Sequence, residues 1–346
     1  RHLPQADDRE EIRRNEKRKD RRVIAGPEHR IDQADRSRRI AVTPTRHGVR
    51  CELRATHEAI RSAAVLALLF AANSALAGPP QRFVVFGDSL SDPGNAFVLI
   101  RDVEVPPFDS LIPDAPYARG ALHFSNGATW VEQLSLIERA LPSAGPALWL
   151  PRVFSNYAVG GARARREGLF DLSTQVGVFV DDFRGQAPSD ALYVVFAGGN
   201  DLRDALEALA ADPGGATSAA ILQSALSSMR DNLLTLHSAG ARRFLVPNAP
   251  DISLAPAVRL LGPAAQGAAR FLSAQFNAGL EATLQGLEAA LAVEVVRLDV
   301  FGILNAVVAA PAAFGLADAV NPCIALETKK NAFCAHPEGF LFWDGI

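Results

Sequence analysis

A serine, two paired glycines and an asparagine stand where side chains and backbone N–H groups could carry out nucleophilic chemistry. Ser89 lies in the stretch GDSLSDPGN, directly after the apolar run 82–87. A serine at such a strand-to-helix turn is placed like a hydrolase nucleophile, although the G-x-S-x-G elbow has glycine where Ser91 stands. The alternative is that Ser89 or Ser91 caps the following helix.

The glycines and the asparagine follow two further apolar runs. Gly160 and Gly161 end the stretch NYAVGG and expose backbone N–H groups to an approaching ligand, with a plain tight turn as the alternative. Asn200, in AGGND, can aim its amide at a developing oxyanion, with capping of the next helix by Asn200 or Asp201 as the alternative. Together with Ser89 they place one nucleophile and two sets of donors at three strand ends, which capping does not require.

The elements that position these residues follow from apolar periodicity. Runs rich in β-branched and aromatic residues predict strands at 82–87, 153–159, 191–198, 242–248 and 293–300. Helical spacing predicts helices at 127–141, 172–183, 218–240 and 264–291. Near-continuous apolar strands that alternate with helices predict one three-layer α/β/α domain with a mostly parallel, five-stranded sheet. Its site is expected outside the carboxyl ends of the strands.

Four ordered blocks resemble the GDSL lipase/acylhydrolase family of the SGNH hydrolase superfamily. The blocks are VVFGDSLSDPGN, NYAVGGA, AGGND and FWDGI, and FSNGATWVEQL and FGLADAVNPC look like the family's intervening segments. The resemblance covers residues 82–346. It implies a serine esterase or lipase that acts through an acyl-enzyme and needs neither a metal nor an organic cofactor.

The resemblance also implies which residues form the site. It makes Ser89 the nucleophile. It builds the oxyanion hole from the Ser89 N–H, the Gly161 N–H and the Asn200 side chain. Gly160 is the alternative holder of the glycine role.

The family's last block is D-x-x-H, in which the aspartate orients a histidine that acts as general base. Asp344 matches the aspartate, and the histidine is expected directly after Ile346, so the sequence is expected to be truncated just before it. None of His123, His237 and His336 is expected to replace that base.

Composition changes sharply before the apolar run at 82–87. Residues 1–50 carry 15 Lys and Arg and 9 Asp and Glu without apolar periodicity, which predicts a disordered or spurious extension instead of a basic nucleic-acid-binding arm. Residues 51–77 hold a positive region, a short apolar run and an A-x-A site. They predict a signal peptide cleaved after Ala77, and therefore a secreted or periplasmic domain over residues 78–346 that is incomplete at its C-terminus.

Charge indicates which partners this domain is not expected to bind, and cysteine content indicates a disulfide. Residues 78–346 carry 18 Lys and Arg against 27 Asp and Glu, a net charge of −9, so a nucleic-acid partner is not expected. Cys323 and Cys334 form an even pair in an exported protein and predict a disulfide. A metal site that includes His336 is the alternative.

Several functions fit the same residues. The expected partner is a small-molecule or lipid ester, with transient contact to a lipid surface. The alternatives are a polysaccharide deacetylase or phospholipid acylhydrolase on the same site, and a non-catalytic exported binding module or passenger domain. The sequence does not encode the acyl-chain length or the oligomeric state in a readable form.

Overall fold

A parallel sheet lies at the centre of the fold. The computed structural model describes residues 80–100, 123–324 and 334–344. The four strands of the sheet run parallel in the order β1-β2-β3-β4, with the bounds β1 Arg82–Gly87, β2 Ala191–Phe196, β3 Arg243–Pro247 and β4 Glu294–Leu298. A second, two-stranded parallel sheet pairs β5 (Asp318–Pro322) with β6 (Phe340–Phe342).

Helices connect the strands, as the periodicity predicts. The α-helices are α1 Asn95–Ile100, α2 Trp130–Ile137, α3 Leu172–Asp182, α4 Gly199–Ala211, α5 Ala216–Ala239, α6 Pro256–Leu260, α7 Pro263–Ala290 and α8 Val300–Ala309. Short 3₁₀ turns lie at Leu141–Ala144, Ile252–Leu254, Pro311–Phe314 and Pro337–Gly339. Within the described ranges, none of these helices has both the length and the apolar character that crossing a bilayer requires.

The segment predicted as a fifth strand, 153–159, lies along the free edge of β1 but makes only an isolated bridge there. The Val85 N–H donates to the Ser155 carbonyl (3.0 Å), and the Tyr157 N–H donates to the Val85 carbonyl (2.7 Å). The ladder is interrupted at Gly87, because its N–H donates to Gln175 Oε1 (2.9 Å) and not to the segment, although the Val159 N–H still donates to the Gly87 carbonyl (3.1 Å). The segment therefore runs beside β1 as a paired but irregular piece of chain.

Both faces of the sheet are covered, which confirms the three-layer α/β/α architecture. Alternate residues of each strand point to opposite faces. On β1, Val84 and Phe86 pack against α3, α4, α5 and α7, whereas Phe83 and Val85 pack against α2. Each fully buried side chain of this size contributes roughly 1.5–3 kcal/mol, so the two apolar faces fix the sheet between its helices.

Candidate active site

The turn after β1 is held in place by a buried glutamine. Gln175 of α3 accepts the Gly87 N–H at Oε1 (2.9 Å) and donates from Nε2 to the Gly87 carbonyl (2.8 Å). A Cβ at Gly87 would overlap the carbonyl oxygen of Phe196 on β2, so only glycine fits. Ser89 follows, half-buried, and no described residue forms a hydrogen bond with its hydroxyl group. The serine therefore lies at the carboxyl edge of the sheet with an Oγ that no described residue engages.

Neither serine of this turn caps α1. Asp92 accepts the N–H groups at the start of the helix, from Gly94 and Asn95 at Oδ1 (2.7 and 2.6 Å) and from Ala96 at Oδ2 (3.1 Å). The buried Ser91 hydroxyl instead accepts the indole N–H of Trp130 at 3.0 Å. The capping alternative for this block is therefore wrong, and an aspartate performs that role.

The paired glycines differ in what their N–H groups do. The Gly160 N–H donates to Asp92 Oδ2 at 2.8 Å, and the ring of Phe124 packs so closely over Gly160 that a Cβ would overlap it. Gly161 is half-buried at φ +79°, a left-handed conformation that favours glycine. Among the described groups, nothing accepts the Gly161 N–H. The geometry therefore favours Gly161 over Gly160 as an oxyanion donor.

Asn200 lies in the first turn of α4, and its side chain reaches across to the glycine loop. Its Nδ2 donates to the Ala162 carbonyl at 2.8 Å, which leaves the second amide hydrogen uncommitted among the described residues. The helix begins after Gly198 (φ +123°), whose missing side chain makes room for the ring of Phe276. Asn200 makes no capping hydrogen bond, so the capping alternative is wrong here as well.

A buried aspartate joins α4 to the same loop. Asp201 is fully buried and accepts the N–H of Ala164 (2.7 Å) and of Arg165 (3.2 Å). The Arg165 guanidinium donates to the same carboxylate at 3.0 Å and to Asp204 at 2.7 Å. Burial raises the pKa of Asp201 above its ordinary value, although these donors oppose the rise.

Two carboxyl groups of the turn after β1 have raised pKa values because they are buried. Burial raises the pKa of Asp88 to about 7 against the opposing hydrogen bond from the Leu90 N–H (3.1 Å), and the nearby Asp201 adds to the rise. The other Asp88 oxygen faces Gly199, because a Cβ built there would lie 3.6 Å away from it. Burial likewise raises the pKa of Asp92 to about 6, although four backbone N–H groups oppose it.

Asp344 follows β6 and is buried, at 9% exposure. The Cys323 N–H donates to the Phe342 carbonyl (2.9 Å), and Cys323 is joined to Cys334 by a disulfide with a Cα–Cα distance of 5.6 Å. The predicted disulfide is therefore confirmed, and it leaves no thiolate for the alternative metal site. β5 packs against α6 and α8. The partner of Asp344 implied by the resemblance lies beyond the described residues, so its orienting role stays a prediction.

The three described histidines differ in their burial and in their contacts. His123 is buried, and its Nε2 lies 2.8 Å from Oε2 of Glu132, which also accepts the Thr129 N–H in a capping box of α2. His237 lies in the last turn of α5, and His336 is exposed. Nε2 of His123 therefore faces a carboxylate, whereas its Nδ1 has no hydrogen-bond partner among the described residues.

A comparison with protein-family models identifies the family of this chain. A family model described as GDSL-like Lipase/Acylhydrolase matches residues 83–346. The chain belongs to this GDSL family. The matched range contains every site residue discussed above, and the α/β fold is the one that the resemblance implies.

Curated relatives of this GDSL-family chain are distant. It is similar to two GDSL esterase/lipases of Arabidopsis thaliana, at 26% identity over 289 residues (75% of this chain, 82% of the relative) and 26% over 328 residues (80% and 84%). It is also similar to the thermolabile hemolysin of Vibrio parahaemolyticus, at 24% identity over 293 residues (79% of this chain), of which it spans 61%.

Three buried aspartates receive no site role from the sequence, although one of them, Asp201, is a candidate helix cap there. Asp88, Asp92 and Asp201 all lie inside the quoted sequence blocks, each within three residues of a predicted site residue. Buried carboxyl groups of this kind are uncommon unless they are paired or hydrogen-bonded. Their positions in the blocks were the available signal, but their partners lie far away in the sequence.

Proposed function

We propose that this GDSL-family chain is a secreted serine hydrolase that cleaves carboxylic esters through an acyl-enzyme. The observation that carries the proposal is the arrangement of uncommitted groups at one sheet edge. Ser89 has a free hydroxyl, Gly161 a free N–H and Asn200 one free amide hydrogen among the described residues. The hydrogen bond from Asn200 to the Ala162 carbonyl fixes the two donor segments to each other.

The proposed reaction uses these groups in sequence. Ser89 Oγ attacks the ester carbonyl carbon and gives its proton to the general base. The carbonyl oxygen becomes an oxyanion that accepts hydrogen bonds from the Ser89 and Gly161 N–H groups and from Asn200 Nδ2. The base returns the proton to the leaving alcohol, which leaves an acyl group on Ser89. Water activated by the same base then attacks this acyl group, releases the acid and regenerates the serine.

We propose that the base is a histidine in the position next to Ile346, oriented by Asp344. A serine hydroxyl needs a base within hydrogen-bond reach, and an aspartate holds the imidazole in the required tautomer and stabilises the imidazolium. The buried position of Asp344, tied to the Cys323–Cys334 bridge through the β5–β6 sheet, suits a fixed orienting group.

Export and substrate class belong to the same proposal. A disulfide favours an oxidising compartment, which agrees with the signal peptide proposed to end at Ala77. The substrate is a small-molecule or lipid ester, and a lipid substrate would bring transient contact with a lipid surface. Polysaccharide deacetylation and phospholipid hydrolysis would use the same groups, so a panel of acetylated polysaccharides, phospholipids and simple esters separates them.

The decisive experiment labels the nucleophile. The chain from Gly78, with a histidine and a proline appended after Ile346, is treated with a fluorophosphonate probe and assayed with a p-nitrophenyl ester. We expect labelling and hydrolysis that Ser89→Ala abolishes. Ser91→Ala, which changes the neighbouring serine of the same turn, should retain labelling.

Two results would contradict the proposal. Equal labelling of Ser89→Ala and its parent would mean that the nucleophile is another residue. A chain with an intact fold that neither reacts with the probe nor hydrolyses any ester of the panel would favour the non-catalytic binding module.

A further inference from the structure

The loop that carries Gly161 is held at both ends by buried carboxylates. At its start, the Gly160 N–H donates to Asp92 Oδ2 at 2.8 Å. The same carboxylate accepts three N–H groups at the start of α1, so it ties the loop to the nucleophile turn. Asp92 therefore fixes the Gly160 N–H, which precedes the proposed donor Gly161, to the turn that carries Ser89.

At its other end the loop is fixed to α4. Asp201 Oδ2 accepts the Ala164 N–H at 2.7 Å, and Oδ1 accepts the Arg165 N–H at 3.2 Å. Asp201 is adjacent in sequence to Asn200, whose amide donates to the Ala162 carbonyl of the same loop. The second proposed oxyanion donor and the loop thus share one rigid attachment.

Both attachments place a carboxylate out of contact with water, which by itself is unfavourable. Asp92 and Asp201 are both fully buried, and burial raises the pKa of each. A tight turn at the glycines needs no carboxylate from a distant segment, since the bonds that close a turn join residues that are close in sequence. Two carboxylates are thus withdrawn from water to bind three backbone N–H groups of one loop. This arrangement favours a role in positioning the loop over a role in stability.

We propose that Asp92 and Asp201 are positioning residues that fix the direction of the Gly161 N–H relative to Ser89 and Asn200. The inference rests on the proposed function, because it assigns Gly161 to the oxyanion hole. Asparagine at either position would present an NH₂ group or lose an acceptor where backbone N–H groups point. The loop would then shift, and the Gly161 N–H would turn away from the oxyanion.

The test compares an ester with the matching thionoester in the histidine-completed chain. Sulfur is larger than oxygen and accepts hydrogen bonds more weakly, so a misdirected oxyanion donor penalises the ester more than the thionoester. We expect Asp201→Asn to lower kcat for the ester by at least about 30-fold with KM nearly unchanged, and the thionoester rate by only about threefold. Asp92→Asn releases the opposite end of the loop and should show the same selectivity.

Asp204→Asn is the matched control. Asp204 pairs with Arg163 and Arg165 in the same cluster, but its contacts are with side chains and not with backbone N–H groups of the loop. It should leave the ester-to-thionoester ratio unchanged. Far-UV circular dichroism at the assay temperature establishes which variants are folded.

The outcomes separate the two proposals. A loss of equal size on both substrates in Asp92→Asn and Asp201→Asn, or variants that no longer fold, would assign the carboxylates to stability and overturn the inference. Activity that persists in Ser89→Ala would instead overturn the proposed function itself.

Discussion

Replacing Asp88 by asparagine should raise the free energy of unfolding above pH 7 and leave it nearly unchanged near pH 4. The Asp88 carboxyl is 3% exposed, and burial raises its pKa from 3.8 to about 7. The Leu90 N–H and the Arg203 charge oppose this rise, whereas Asp201 adds to it. Between these two pH values the folded protein keeps a proton that the unfolded chain has released, so stability falls as the pH rises.

The magnitude follows from the size of the shift. One pKa unit corresponds to about 1.4 kcal/mol, so a shift of about three units costs at most about 4 kcal/mol once the pH exceeds 7. Asparagine can keep an oxygen on the Leu90 N–H and carries no charge. The variant should therefore avoid this cost while it retains the hydrogen bond seen in the folded protein.

The assay is urea unfolding of parent and variant, followed by tryptophan fluorescence at about pH 4, 6 and 8.5. Asp92→Asn is the control, because Asp92 is buried to the same extent but accepts four backbone N–H groups. It should be destabilised by roughly 2 kcal/mol near pH 4. This deficit should shrink as the pH rises past 6, because burial raises the pKa of Asp92 to about 6 as well. If the difference between Asp88→Asn and its parent does not grow with pH, the ionisation of Asp88 does not oppose folding and the reasoning is refuted.

Three further predictions concern other parts of the site. Asn200→Ala should lower kcat about 100-fold with little change in KM, a loss of about 3 kcal/mol; a rise in KM at constant kcat, measured on the histidine-completed chain, would make it a binding residue instead. Replacing Cys323 and Cys334 together by alanine should lower the free energy of unfolding by about 2–3 kcal/mol in urea titrations, and equal midpoints for oxidised and replaced chains would argue against it. Gly160→Ala should lower the free energy of unfolding by about 1–3 kcal/mol, because the added Cβ overlaps the ring of Phe124. Gly177→Ala in α3, with open space around the added Cβ, should be neutral or stabilising. Thermal unfolding compares the two variants.

The sheet could be predicted because its strands are short and rich in apolar residues, and because β1, β2 and β3 are buried on both faces. Four of the five predicted runs became strands, with ends shifted by at most two residues. Strand β4 ends early because Asp299 caps α8, where its side chain accepts the Gly302 N–H at 2.9 Å. The apolar helix α8 itself was not predicted, since its β-branched residues fit a strand or a helix equally well.

The candidate site could be proposed residue by residue from the sequence, but the hydrogen bonds around it could not. Ser89 and Asn200 follow β1 and β2, and Gly161 follows the irregular segment 153–159 beside β1, so the topology brings them to one edge of the sheet. The bonds that orient them join residues far apart in the sequence, such as Asp92 to Gly160 across 68 positions and Asp201 to Ala164 across 37. No local pattern encodes those partners, so the roles of the buried carboxylates emerge only from the fold.

The segment 153–159 also covers the edge strand of the sheet, where another protein molecule could otherwise pair. A strand such as β1 at the edge of a sheet offers unpaired N–H and C=O groups that can pair with a neighbouring molecule. Here Ser155, Tyr157 and Val159 occupy those groups, and Asn95 holds the segment through the carbonyls of Asn156 and Ala158 at 2.7 and 2.9 Å. The segment that leads into the glycine loop therefore also covers this edge, and a substitution that loosens it should expose β1 to pairing with other molecules.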